Sequence, residues 1–190
     1  MKKNIWLTFY LISITKFAVA QADLGRVKSV ILKTVVRIET STGNTGTGFI
    51  VFKTINKESN QGYLYLVTNK HIISDWSLAN PNGSFIYNFL ELSLYTNDTL
   101  SKSKSFQRVK IPIIENGKLS NIVRSHSDTL VDVVIINITN YVTGTKNVDI
   151  KYFDSSFLVR FDEISSKGFI GVGDQVFALG YPIGITSQLQ

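Results

Sequence analysis

The sequence predicts an all-β fold, a barrel or a sandwich. Three observations carry that expectation. Short runs rich in β-branched and aromatic residues recur along the chain. Breaks containing glycine, asparagine or proline separate them. No stretch keeps a helical repeat for more than a turn or two.

The elements follow in order. Residues 29–39, SVILKTVVRIE, are mixed at first and then alternate as a half-buried strand does. Residues 43–48 read as a glycine-rich turn, and 49–52, FIVF, as a short apolar strand. Residues 57–62, KESNQG, form a predicted hairpin loop that leads into a strand over 63–68. LANPNGS at 78–84 breaks the chain, and alternation returns over 85–95. The strand expected at 108–114 contains Pro112, which cannot donate to a ladder, so it belongs at a sheet edge. Residues 131–138, VDVVIINI, make the most apolar strand, and 175–179 one more inside a glycine-rich frame. The best helix candidates are 22–31 and a single turn at 72–76.

Composition narrows the function classes. The 190 residues are 44% hydrophobic and 12% aromatic, enough for a packed core, and 18% charged, too few for a disordered chain. The absence of cysteine excludes a disulfide framework, a zinc finger and a thiol nucleophile, and it fits bacterial export. Residues 1–20 read as a secretory signal peptide. They open with Lys2 and Lys3, continue with the apolar IWLTFYLISI at 5–14, and end on Ala18-Val19-Ala20, with the cut after Ala20. Removing them takes away three of the 20 basic residues and none of the 14 acids, so the formal charge falls from +6 to +3. What remains is scattered, with SKSK at 101–104 the densest group and no basic stripe for nucleic acid.

Several motifs have ordinary explanations. The glycines of 43–48 are followed by a strand rather than the Gly-Lys-Ser/Thr and helix of a phosphate loop. Asn82-Gly83-Ser84, Asn97-Asp98-Thr99 and Asn137-Ile138-Thr139 match the glycosylation pattern, but the third falls inside a predicted strand and the leader reads as bacterial. The two histidines, His71 and His126, lack the short spacing of a zinc enzyme. His126 and Asp128 belong to a polar loop, SHSD.

His71 and Asp132 stand out. His71 sits just past the run YLYLVT, where it is either a half-exposed loop residue or a base able to take and return a proton near neutrality. Asp132 heads VVIINI, where a carboxylate is costly unless hydrogen-bonded. It either meets water at a strand mouth or accepts Nδ1–H from His71, fixing the tautomer and leaving Nε2 free.

TGTGFIV at 45–51, YLVTNKHII at 65–73, DVVI at 132–135 and GDQVFALGYPIG at 173–184 occur in that order. This set resembles the trypsin-like, chymotrypsin-fold serine peptidases, particularly the exported bacterial ones. The resemblance covers about Val35 to Gly184. It implies a chymotrypsin-like first β-barrel over 21–165 and the beginning of a truncated second barrel over 166–190. It makes His71 the general base and Asp132 its orienting acid, acting on a polypeptide substrate outside the cytoplasm, secreted or periplasmic. It implies no cofactor, no nucleic-acid partner and no membrane association once the leader is cut. The chain departs from the pattern in two ways. Asn69-Lys70 replaces the usual alanine-rich approach to the histidine. No Gly-Asn/Asp-Ser-Gly turn is present either: Ser84, Ser156, Ser166 and Ser187 all lack the glycine frame that would expose a hydroxyl and form an oxyanion hole. The expectation is therefore the His–Asp part of a serine endopeptidase, with its nucleophile downstream of Gln190. The alternative is a non-catalytic interaction domain on half a peptidase scaffold.

Overall fold

The computed structural model describes residues 29–59, 61–96, 106–158 and Gly180. The proposed leader 1–20, most of the 22–31 helix candidate, the strand expected at 175–179 and, Gly180 excepted, the rest of the 166–190 segment lie outside the described residues. The described chain is all-β, as expected. Its strands are β1 (Val35–Thr40), β2 (Thr45–Asn56), β3 (Gln61–Thr68), β4 (Phe89–Tyr95), β5 (Phe106–Pro112), β6 (Ile114–Glu115), β7 (Lys118–Leu119), β8 (Val123–Ser125), β9 (Val134–Asn137) and β10 (Phe153–Asp154). One-turn helices at Ser29–Leu32 and Thr139–Val142 accompany them. Among the described residues no helix is long and apolar enough to cross a membrane.

Eight strands form one curled sheet: seven run in the order β5-β4-β1-β2-β3-β9-β8, and β10 joins it off that path, against β2. All pairings along that path are antiparallel. β1 begins opposite Phe49, which leaves the next stretch of that β2 edge open, and β10 fills it in parallel, Phe153 opposite Val51. Alternation sets the inner face. Val36 and Ile38, Leu90, Leu92 and Leu94, Leu64 and Leu66, and Val134 and Ile136 are all buried in a single core. Each such side chain contributes about 1.5–3 kcal/mol of burial. Pro112 is the last residue of β5, which ends the sheet and pairs only with β4 among the described residues, so the edge placement holds.

Several boundaries differ from expectation for identifiable reasons. The glycine turn is short: β2 starts at Thr45 and includes Gly46 and Gly48. Neither glycine is needed for its backbone angles; both face inward where another strand or turn comes close. A Cβ on Gly48 would lie 2.6 Å from Leu66 Cδ1 and 3.0 Å from Ile38 Cδ1. The 57–62 loop shrinks because β2 runs to Asn56 and β3 begins at Gln61. Only the second half of 85–95 pairs as a full strand; Phe85 instead makes an isolated bridge to Ser74. The helical turn expected at 72–76 occurs earlier, as a 3-10 turn over Lys70–Ile72. The apolar run 131–138 supplies only a four-residue strand, and its odd members Val133 and Ile135 are exposed on the outer face. The β6–β7 hairpin was not anticipated. Its Asn116-Gly117 turn has φ +53° and +72°, the doubly left-handed turn that Asn-Gly favours.

Candidate functional site: a histidine–aspartate pair at the β3–β9 strand ends

The site is a consequence of strand register. β3 and β9 pair antiparallel with Thr68 opposite Val134. Continuing that register sets residue 132 beside residue 70, so the chain entering β9 meets the chain leaving β3. Thr68 Oγ1 donates to Thr47 O at 2.7 Å, which ties the end of β3 to β2. The chain then tightens into the 3-10 turn, with Ile73 N donating to Lys70 O at 3.1 Å and Ser74 Oγ to the same carbonyl at 2.8 Å. Both residues after His71 point inward. Ile73 is fully buried in the core, and Ile72 packs on Gly46, whose absent Cβ would lie 2.7 Å from Ile72 Cδ1. With its neighbours anchored, the imidazole is left on the surface side, half-exposed.

Asp132 holds the histidine at two points. Its Oδ1 accepts from His71 N at 2.9 Å, and its Oδ2 lies 2.5 Å from Nδ1. An ionised carboxylate can only accept, so Nδ1 carries the proton of that short, charge-assisted bond. Asn69 Nδ2 adds contacts at 3.2 Å to both Oδ2 and the backbone carbonyl of Asp132. Burial pushes the Asp132 pKa up, but the side-chain and backbone hydrogen bonds from His71, the charge of a protonated imidazole and the Asn69 amide outweigh it. The net effect holds the carboxyl below its ordinary value. Nε2 has no hydrogen-bond partner among the described residues. Among the described residues the result is an oriented, half-exposed imidazole whose second nitrogen is unbonded, able to accept a proton from a hydroxyl or water brought to it.

The two candidate residues are therefore together. Asp128 is not an alternative partner: its Oδ1 accepts from Leu130 N, and its own N–H donates to His126 Nδ1, within an exposed loop. Ser156 lies in a 3-10 turn capped by Asp154, and among the described residues His71 hydrogen-bonds to Asp132 and to neither Ser156 nor Ser84. Ser166 and Ser187 are outside the described residues. Sequence reasoning missed the part played by Asn69, which looked only like a departure from an alanine; no local pattern marks an amide as a carboxylate donor 63 residues away. Among the described residues no three His, Cys, Asp or Glu side chains group closely enough to hold a metal ion.

A cleft of about 310 Å³ lies at the other end of β3, between Tyr63, Glu115, Asn137 and Tyr141. Its polar groups are partly spent on one another: Ser120 Oγ donates to Glu115 and Thr139 Oγ1 to Asn137 Oδ1. Compared with known proteins, the chain matches no family model, no curated protein and no solved structure.

Proposed function

We propose that this chain is the N-terminal, His–Asp-bearing part of an exported trypsin-like serine endopeptidase, and that its curled sheet is the first of two chymotrypsin-like barrels. The observation that carries the reading is the two-point grip of Asp132 on His71, through Nδ1 and the backbone N–H, with Nε2 directed away. In peptide hydrolysis Nε2 would take the proton of a serine hydroxyl as that oxygen attacks the scissile carbonyl. It would then return the proton to the leaving amine, while Asp132 stabilises the imidazolium. The nucleophile, oxyanion hole and specificity pocket would come from sequence beyond residue 190. The leader would be removed after Ala20, sending the chain to the periplasm or the medium, where the substrate is polypeptide.

A second reading, a non-catalytic interaction module, is favoured by the exposed apolar residues Leu130, Val133 and Ile135 beside the pair. A fluorophosphonate, which labels only an activated serine, separates the two. The 190-residue chain should remain unlabelled. The chain extended through its natural downstream sequence should label, and His71→Ala in that longer chain should abolish labelling. Failure of the extended chain to label favours the interaction module. Labelling of the short chain would reveal a nucleophile within it.

A further inference from the structure

The strongest unexplained feature of the molecule is a buried cation next to His71. Lys70 is 5% exposed. Lysine is almost never so buried unless something pairs with it, because its charge must give up water. Among the described residues no carboxylate forms an ion pair with it. Its Nζ instead donates to two carbonyls, Thr129 O at 3.1 Å and Pro81 O at 3.4 Å, and lies 5.5 Å from the centre of the Trp76 ring. Trp76 Nε1 donates to the same Thr129 carbonyl at 2.8 Å.

The placement of these contacts matters more than their number. Thr129 lies three residues before Asp132. The intervening loop is tied internally, with Leu130 N on Asp128 Oδ1 and Val131 N on Asp128 O. Fixing Thr129 therefore fixes the exit of the loop, which is Asp132. The same 3-10 turn that presents His71 presents Lys70 in the opposite sense, inward and under the loop. We propose that Lys70, assisted by Trp76, is a positioning residue: it clamps the 129–132 loop so that the Asp132 carboxylate stays in register with His71. The proposal deepens the reading of His71 and Asp132 as a working pair and rests on it. It accounts for a buried charge that an apolar side chain could replace if filling space were the only requirement.

The test follows the Nδ1 proton of His71 by solution NMR on the full 190-residue chain. A proton in so short a bond to a carboxylate resonates far downfield of the amides. Lys70→Met keeps the alkyl stem and removes the charge. It should lose the downfield resonance while the methyl dispersion of the core stays native. Trp76→Phe keeps a ring over Lys70 but removes one donor to Thr129, and should move the resonance upfield without abolishing it. If Lys70→Met does not fold, Trp76→Phe alone decides. A folded Lys70→Met protein, or failing that Trp76→Phe, with the resonance at its original position overturns the clamp and leaves the pair intact. Absence of the resonance from the unsubstituted chain overturns the pair and the clamp together.

Discussion

Gly46→Ala tests whether a glycine packed against Ile72 sets the position of His71. The added Cβ would lie 2.7 Å from Ile72 Cδ1, 2.8 Å from Cγ2 and 3.0 Å from Cγ1. Carbon pairs settle at about 3.5–4.0 Å, so each contact is short by roughly 1 Å. Rotation about χ2 relieves only Cδ1. Cγ1 and Cγ2 both branch from Cβ, so rotation about χ1 exchanges one clash for another. The turn itself must retreat, and fully buried Ile73 blocks movement on its other side. Overpacking of this kind costs about 1–3 kcal/mol. A retreat of roughly 1 Å would also stretch the Nδ1···Oδ2 contact to about 3.5 Å, where a hydrogen bond effectively ends. Urea denaturation reads the first effect, and the downfield Nδ1 proton reads the second. Gly43→Ala is the control: nothing lies within 4 Å of its Cβ, but φ is +86°, so it should destabilise by strain alone and leave the proton in place. A Gly46→Ala protein within about 0.5 kcal/mol of the original, the range of an inconsequential surface change, with its downfield proton unmoved, would refute the reasoning.

Three further outcomes are expected. Asp132 has its pKa lowered in the folded state, so the unfolded chain binds more protons in acid. Its contribution is complete above about pH 4 and is lost as pH falls through the folded value. Urea midpoints at neutral pH and in acid should therefore show Asp132→Asn removing part of the acid sensitivity; an unchanged acid-to-neutral difference contradicts the assignment. Ile136→Ala leaves a cavity at a fully buried position in β9 and should cost about 2–5 kcal/mol by chemical denaturation; a loss under about 1 kcal/mol would mean that the core does not close over β9. Gly117→Ala, at φ +72° with open space around it, should cost on the order of 1–2 kcal/mol through strain, with the His71 proton untouched because the hairpin stands apart from the site.

The legible parts of this chain are those whose signal is local. Alternation in residues 35–40 and 89–95 gave strands because one face of each buries Val, Ile or Leu every second residue. His71 was legible because the apolar run that delivers it ends at Thr68. The glycines at 46 and 48 misled because glycine has two uses. In turns it supplies backbone freedom; here it supplies room, and the residues needing that room, Ile38, Leu66 and Ile72, are distant in sequence. The run at 131–138 misled through its composition. Val133 and Ile135 lengthen the apolar stretch, but the ladder begins only at Val134, so Asp132 sits in the approach to the strand. Asn116-Gly117 carried a hairpin signal that the flanking alternation was too short to reinforce. Lys70 and Asn69 were opaque because their partners, Thr129 and Asp132, lie about 60 residues away.

The pairing of β3 with β9 also has a kinetic consequence. Thr68 and Val134 meet only after the whole of β4 to β8 has been looped out between them. Closing such a loop precedes any gain from the contacts it makes, so non-local β topologies fold slowly. His71 and Asp132, 61 residues apart, come together on that same late event. A nascent or partly unfolded chain thus has no oriented imidazole, and any chemistry that depends on one is withheld until the sheet has assembled.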